Sequence, residues 1–228
     1  IGRFRSRVRG TPEVLGQFPL SCLAEEIAAP GPGQIKALVT IAGNPVRSAP
    51  DAARLDAALP SLECMISIDN YLNETTRHAH VILPGLSPLE QPHFDDLIPM
   101  WAMGTAGNFS PPIFARDDRP HEWEILTRLG AYIAGMRSTD VDVAAIDDGF
   151  FAALCAMKSV DAAAASALYT TGGPERLLDL QIRTGPFGDR YGEKPGGLTL
   201  ESFRERPHGL DLGPLVPRLG EVLATPSG

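Results

Sequence analysis

Cysteine is scarce in this 228-residue chain: Cys22, Cys64 and Cys155 are the only three, with no closely spaced pair. That excludes a disulfide framework. It also leaves no local ligand set for a structural zinc or iron-sulfur centre within this stretch, and a reduced, cytoplasmic setting is expected. Cys64 lies inside an apolar run and reads as a core residue. No apolar run approaches the ~20 residues of a membrane-spanning helix. The opening Ile1-Gly2-Arg3-Phe4-Arg5 lacks the layout of a secretory leader. Positive charge is also short: 20 Lys+Arg against 28 Asp+Glu give a net charge of -8, the wrong sign for a nucleic-acid-binding face. There is no initiator methionine, and residues 215–228 carry no compact stop signal, so the sequence is expected to be an internal stretch of a longer protein.

What is present is ordinary for a globular protein, 43% hydrophobic and 21% charged, and long enough for one large domain or two small ones. The organising stretch is residues 35–83. An apolar run, 35–42, ends in Gly43-Asn44-Pro45. A helix is expected over 50–59, opened by Pro50 and Asp51 and closed by Pro60. A second apolar run, 64–68, ends in Asp69, and a third, 80–83, ends in Pro84. Strand, helix and strand at this spacing form a βαβ crossover with parallel pairing. With only Lys36 and Thr40 polar, the first strand reads as buried on both faces. Ligands of such sheets bind at the carboxyl ends of the strands, where Gly43, Asn44 and Asp69 stand. Gly43 permits a sharp turn, Asn44 offers donors and an acceptor, and Pro45 keeps Asn44 out of helical geometry. A plain turn at either strand end remains an equal reading at this point.

The flanking segments are plainer. Residues 1–17, with Arg3, Arg5, Arg7 and Arg9, read as a solvated arm. Residues 20–28 have helical spacing, with Ser21 as a cap. Residues 70–77 are polar, with Thr75 or Thr76 able to face the same cleft as Asp69. Residues 85–113 read as a long irregular loop, broken by a packed apolar stretch at 97–103 that includes Trp101. His93 with Asp95 and Asp96 is too little for a metal site. A helix follows from residue 119 to about 135, with a stripe of Trp123, Leu126, Leu129, Ile133 and Met136. Further helices are expected over 141–157, 162–168, 176–182 and 198–206, with glycine-rich stretches before and after the third. Gly172-Gly173 before one of them reads as a cap, since no Lys-Ser/Thr follows to make a P-loop.

Taken together, Ile41-Ala42-Gly43-Asn44-Pro45, Ser67-Ile68-Asp69, Asn73-Glu74-Thr75-Thr76 and Ala79-His80-Val81-Ile82-Leu83-Pro84 resemble, in order, motifs of the molybdopterin oxidoreductase family. That superfamily includes formate dehydrogenases, dimethyl sulfoxide reductases and periplasmic nitrate reductases. The helix start His121-Glu122-Trp123-Glu124-Ile125-Leu126 is also similar to a family segment. The resemblance covers residues 35–129, and the remainder is similar to the connector toward the family's C-terminal barrel.

The resemblance implies an α/β fold, part of a Rossmann-like parallel sheet followed by a mainly helical and irregular segment. It divides the chain into an arm and helix (1–34), a pterin-guanine-dinucleotide-binding segment (35–115) and a helical connector (116–228). It implies bis-molybdopterin guanine dinucleotide with molybdenum or tungsten as cofactor, and a 4Fe-4S cluster in a preceding part of the protein. Cofactor contacts would come from Gly43, Asn44, Pro45, Ile68, Asp69, Thr75, Gln91 and His121, with Asp69 accepting from the guanine edge. Partners would be a small-molecule substrate, the rest of the same enzyme chain and an electron-transfer protein. None of the three cysteines sits where the metal ligand belongs, so no catalytic or metal residue is assigned and the stretch alone should be inactive. Two departures stand out. His80 replaces a frequent aspartate, and Gln91-Pro92-His93-Phe94-Asp95-Asp96 replaces a glycine-rich, arginine-containing run. A non-catalytic nucleotide-binding or assembly module of the same fold is the alternative.

Overall fold

The computed structural model describes residues 1–95, 104–217, 220 and 223, and divides the chain into two compact units, Ile1–Leu86 and Ser87–Gly228. The architecture is α/β, with one three-stranded parallel sheet and helices.

In the first unit, residues 1–17 are not a solvated arm. Bridges pair Arg5 with Pro12 and Val14 with Gln17, and Glu13 is fully buried. Its carboxylate accepts from the Arg3 side chain at 2.8 Å and from the Gly16 N–H. Arg7 and Arg9 pair with Glu26 and Glu25, both buried. The arginines look like a charge run because their acidic partners lie 10 to 19 residues further along. Glu13 lies within the arginine segment itself, while Glu25 and Glu26 stand on the first helix, α1 (Leu23–Ala28), which a 3-10 turn over Leu20–Cys22 precedes. Ser21 makes no capping bond there, and Cys22 takes the N-cap position.

The sheet then builds as β1 (Ala37–Ile41), two short helices α2 (Pro45–Ser48) and α3 (Ala52–Ala58), β2 (Cys64–Ile68) and β3 (Val81–Leu83). Pairing is parallel in the order β1-β2-β3, and Ile41 lies opposite Ile68, which lies opposite Leu83. Leu38 and Met65 face the helices, where Ile27, Leu55, Leu59 and Leu62 complete the core. Thr40 and Ser67, aligned on that face, bond to each other at 2.8 Å, which explains a polar residue inside each apolar run.

The opposite face corrects the expectation of burial on both sides. Val39 is 37% exposed, Ile41 49% and Val81 47%, and Cys64, read as core, is exposed too. An apolar run fits either arrangement; only the covering elements decide, and α1 to α3 pack on one side.

His80 has a structural role. Its Nδ1 accepts the Met65 N–H at 2.9 Å, and its own N–H donates to the Met65 carbonyl at 2.8 Å. The imidazole must therefore be unprotonated at Nδ1. His80→Ala should cost about 1 kcal/mol locally and speed Met65 amide exchange about fivefold, whereas His80→Asp keeps an acceptor and should stay near the parent. Hydrogen exchange at Met65 checks this.

The second unit holds β4 (His93–Phe94), β5 (Gly104–Gly107), β6 (Phe109–Ser110), α4 (Glu122–Ile133), α5 (Val143–Met157), α6 (Ala162–Ser166), α7 (Pro174–Thr184), α8 (Leu200–Arg204) and β7 (Leu210–Pro214). The segment read as irregular, 85–113, thus carries short strands among its described residues: β4 pairs antiparallel with β6 inside it, and β5 pairs antiparallel with β7, far outside it. The packed stretch 97–103 with Trp101, and Asp96, lie outside the described residues. Helix α4 buries Ile125 and Ala131, while Leu126, Ile133 and Met136 are exposed, so its inward face is rotated from the stripe expected. One core gathers Phe151, Cys155, Ala165 and Leu180, and another Phe109, Leu200 and Phe203. Among the described residues no helix is long and apolar enough to cross a membrane.

Candidate functional site

Parallel pairing puts the carboxyl ends of β1 and β2 side by side. The Ala42 N–H donates to the Ile68 carbonyl at 2.9 Å and joins the two ends. Ile68 itself is 2% exposed. The left-handed residue at this turn is Ala42, with φ of +45°. A non-glycine residue in that region is strained and tends to mark functional turns. A Cβ on Gly43 would stand 3.4 Å from the Ile41 carbonyl oxygen, so the turn is tight but not sealed against a side chain. Asn44 takes φ -118°, ψ 71°, outside the helical region as a residue before proline must, and Pro45 opens α2 at its first turn.

The Asn44 side chain is bonded at both ends. Its Oδ1 accepts from the Thr75 hydroxyl at 2.7 Å, and its Nδ2 donates to a Glu74 carboxylate oxygen at 2.8 Å. Thr75 is fully buried, and its hydroxyl also accepts the Val46 N–H at 3.0 Å. Thr75 therefore ties the loop after β2 to the loop after β1. Glu74 accepts as well from exposed Arg47 at 3.0 Å. The Asn44 amide, above all, holds the Glu74 carboxyl below the usual carboxylate range. Glu74 carries no role in the sequence reading; its place next to Thr75 is the only local hint.

Asp69 follows β2 directly. Its Oδ1 accepts the Tyr71 N–H at 2.9 Å, and its Oδ2 faces the Asn73 amide at 3.4 Å, a long and weak contact. An ionised carboxylate has about four acceptor positions, so about half of its capacity is unspent. Asn73 Oδ1 in turn accepts the N–H groups of both Thr75 and Thr76 at 2.9 Å and shapes the loop. Tyr71 and Leu72 beside Asp69 are 75% and 78% exposed.

Gln91 and His121 belong to the second unit, where both line a cleft of about 1120 Å³ together with Arg116, Trp123, Arg128 and Arg176. His121 is the N-cap residue of α4, and its N–H donates to the Glu124 carboxylate at 2.7 Å. Burial, then the Arg116 charge, holds its imidazole below the usual histidine range. Between the lining residues Gly172 and Pro174, Gly173, with φ of +95°, caps α7, and its N–H donates to Asp147, also in the lining, at 2.7 Å. Among the described residues no group of His, Cys, Asp and Glu could hold a metal ion.

The model of the molybdopterin oxidoreductase family matches residues 5–132. The chain is 32% identical over 106 residues to the assimilatory nitrate reductase catalytic subunit of Bacillus subtilis (strain 168), covering 43% of this chain and 13% of that protein. It is 30% identical over 116 residues to the NADPH-Fe(3+) oxidoreductase subunit alpha of Geobacter sulfurreducens, covering 51% of this chain and 13% of that one. The matched stretch is thus a small part of the length of these relatives. The family match begins before the sheet, at the folded arginine segment, and runs through β1, β2 and β3 to α4. It spans more than half of the sequence, and the chain belongs to the molybdopterin oxidoreductase family.

Proposed function

We propose that this chain is the cofactor-holding portion of a molybdopterin-dependent oxidoreductase. Its β1 and β2 ends would hold the guanosine and phosphate end of a pterin guanine dinucleotide, as part of a Rossmann-like domain. The observation that carries this reading is the parallel β1-β2 pairing, which sets Gly43 and Asn44 beside Asp69 on one edge of the sheet. The donor and acceptor set fits such a group. Asp69 has spare acceptor capacity for the N–H groups of a guanine edge, and Asn44 keeps a donor for a phosphate or ribose oxygen.

Gly43 and Pro45 shape the approach, Ile68 joins the strand ends, and Thr75 holds Asn44 in place. Gln91 and His121 are proposed as further contacts on the family resemblance alone. The bound group would supply two-electron redox chemistry at a molybdenum or tungsten centre, while this chain's residues orient it by fixed hydrogen bonds. The whole protein would be cytoplasmic, carry a 4Fe-4S cluster in its N-terminal part, act on a small molecule and exchange electrons with a partner protein. The names of the relatives, a nitrate reductase and an NADPH-Fe(3+) oxidoreductase, support a redox role.

The test is composition. Full-length protein should contain molybdenum or tungsten, and acid hydrolysis should release about two GMP per metal atom. Full-length protein purified from a host that makes the cofactor, yet free of metal and GMP, would leave the non-catalytic module as the better reading.

A further inference from the structure

We infer that Glu74 is a positioning residue that fixes which way the Asn44 amide faces, so that Asn44 meets a bound group as a hydrogen-bond donor. The inference rests on the nucleotide reading above and adds a residue and a polarity to it.

The argument is one of hydrogen-bond sign. An ionised carboxylate accepts and cannot donate. The Asn44 atom 2.8 Å from Glu74 must therefore be the amide nitrogen, and its oxygen then faces the Thr75 hydroxyl at 2.7 Å. A hydroxyl alone would not settle the orientation, since it can donate or accept. Thr75 could serve a flipped amide; Glu74 could not. With one Nδ2 hydrogen on Glu74 and Oδ1 on Thr75, the second Nδ2 hydrogen is the polar hydrogen left over among the described residues. Asn44 is partly exposed at the end of β1, where that hydrogen can meet an oxygen. Phosphate and ribose oxygens accept such a bond.

Arg47 also reaches Glu74, but its side chain is 71% exposed, and surface pairs of this kind contribute little. Glu74 acts through its acceptor atoms, and its charge is secondary. That makes the glutamine variant informative: its amide can accept from Asn44 but can also donate to a flipped Asn44, so it keeps the tether and gives up only the choice of orientation.

The experiment follows bound guanine nucleotide in purified full-length protein, read as GMP released on acid hydrolysis after timed dilution. Glu74→Ala should lose nucleotide about tenfold faster than the parent, the order expected for one hydrogen bond. Glu74→Gln should lose nucleotide only about twofold faster, because two Asn44 orientations of similar weight leave about half of the molecules facing the right way. Amide exchange at Thr75 and Thr76 that stays close to the parent in both variants is the control for folding of the loop. If Glu74→Gln loses nucleotide as fast as Glu74→Ala, charge and not amide orientation is what matters, and the inference fails. If Glu74→Ala retains nucleotide like the parent, it fails as well, while nucleotide loss in an Asp69→Ala protein would leave the wider reading standing. Parent protein free of GMP overturns both together.

Discussion

Asp147→Ala should destabilise the helical unit by about 3–5 kcal/mol, the usual cost of leaving one half of a buried ion pair behind. Asp147 and Arg176 are 7% and 5% exposed, one on α5 and one on α7. One Asp147 oxygen accepts from both the Arg176 guanidinium and the Gly173 N–H that caps α7. Arg176 lies 4.7 Å from the Phe151 ring centre and reaches Asp148 at 2.7 Å, but Asp148 is 69% exposed and is a weak substitute in water. The Arg176 Nε is already buried without a partner. Removing Asp147 therefore strands a guanidinium in the core and frees a cap N–H at once. Asp147→Asn keeps an acceptor for Gly173 and should cost less. Adding Arg176→Met to Asp147→Ala should recover part of the loss, because an apolar pair of similar volume is often tolerated where a half-pair is not. Hydrogen exchange of α5 and α7 in the full-length protein measures the local opening free energy. Losses that simply add in the double variant would contradict this account.

How much of this was legible depends on the residue. The parallel sheet could be read because each strand is a short apolar run closed by a breaker or an acid, and the turn signals at Pro45, Pro60 and Pro84 are local. What covers the sheet is not local, and the exposure of Val39, Ile41 and Cys64 could not be read from the run that contains them. Strands β5 and β7 were missed for two reasons. Three of the four residues in Gly104-Thr105-Ala106-Gly107 are poor strand formers, and its partner lies about a hundred residues further on. Glu13, Asp147 and Arg176 were illegible because charged residues are almost always solvated unless paired, and sequence does not show the pair. At the candidate site Asn44 and Asp69 are singled out by their positions at strand ends, and Thr75 by its place in the polar stretch after Asp69. Glu74 was missed, since its role appears only when its bond to Asn44, thirty residues away, is seen.

The sharpest test of the nucleotide reading is Asp69, because the rival account is specific: a carboxylate that merely shapes the turn after β2. Both accounts use the Tyr71 N–H bond to Oδ1 at 2.9 Å. They differ over the remaining lone pairs. If those accept from a guanine edge, each lost bond to a charged acceptor is worth about 1.5–3 kcal/mol. Asp69→Ala should then release bound nucleotide at least about tenfold and up to about a hundredfold faster, given 1.4 kcal/mol per factor of ten. Asp69→Asn separates the accounts. Its amide oxygen can still serve Tyr71, so the turn survives, but its NH2 group would point a donor at guanine donors. On the nucleotide reading Asp69→Asn fails almost as badly as Asp69→Ala, with amide exchange in β2 close to the parent. On the turn reading Asp69→Asn keeps its nucleotide, and only Asp69→Ala shows faster exchange at Tyr71. The contrast between these two variants, read as GMP content and exchange in the same full-length protein, decides what the carboxylate at the end of β2 is for.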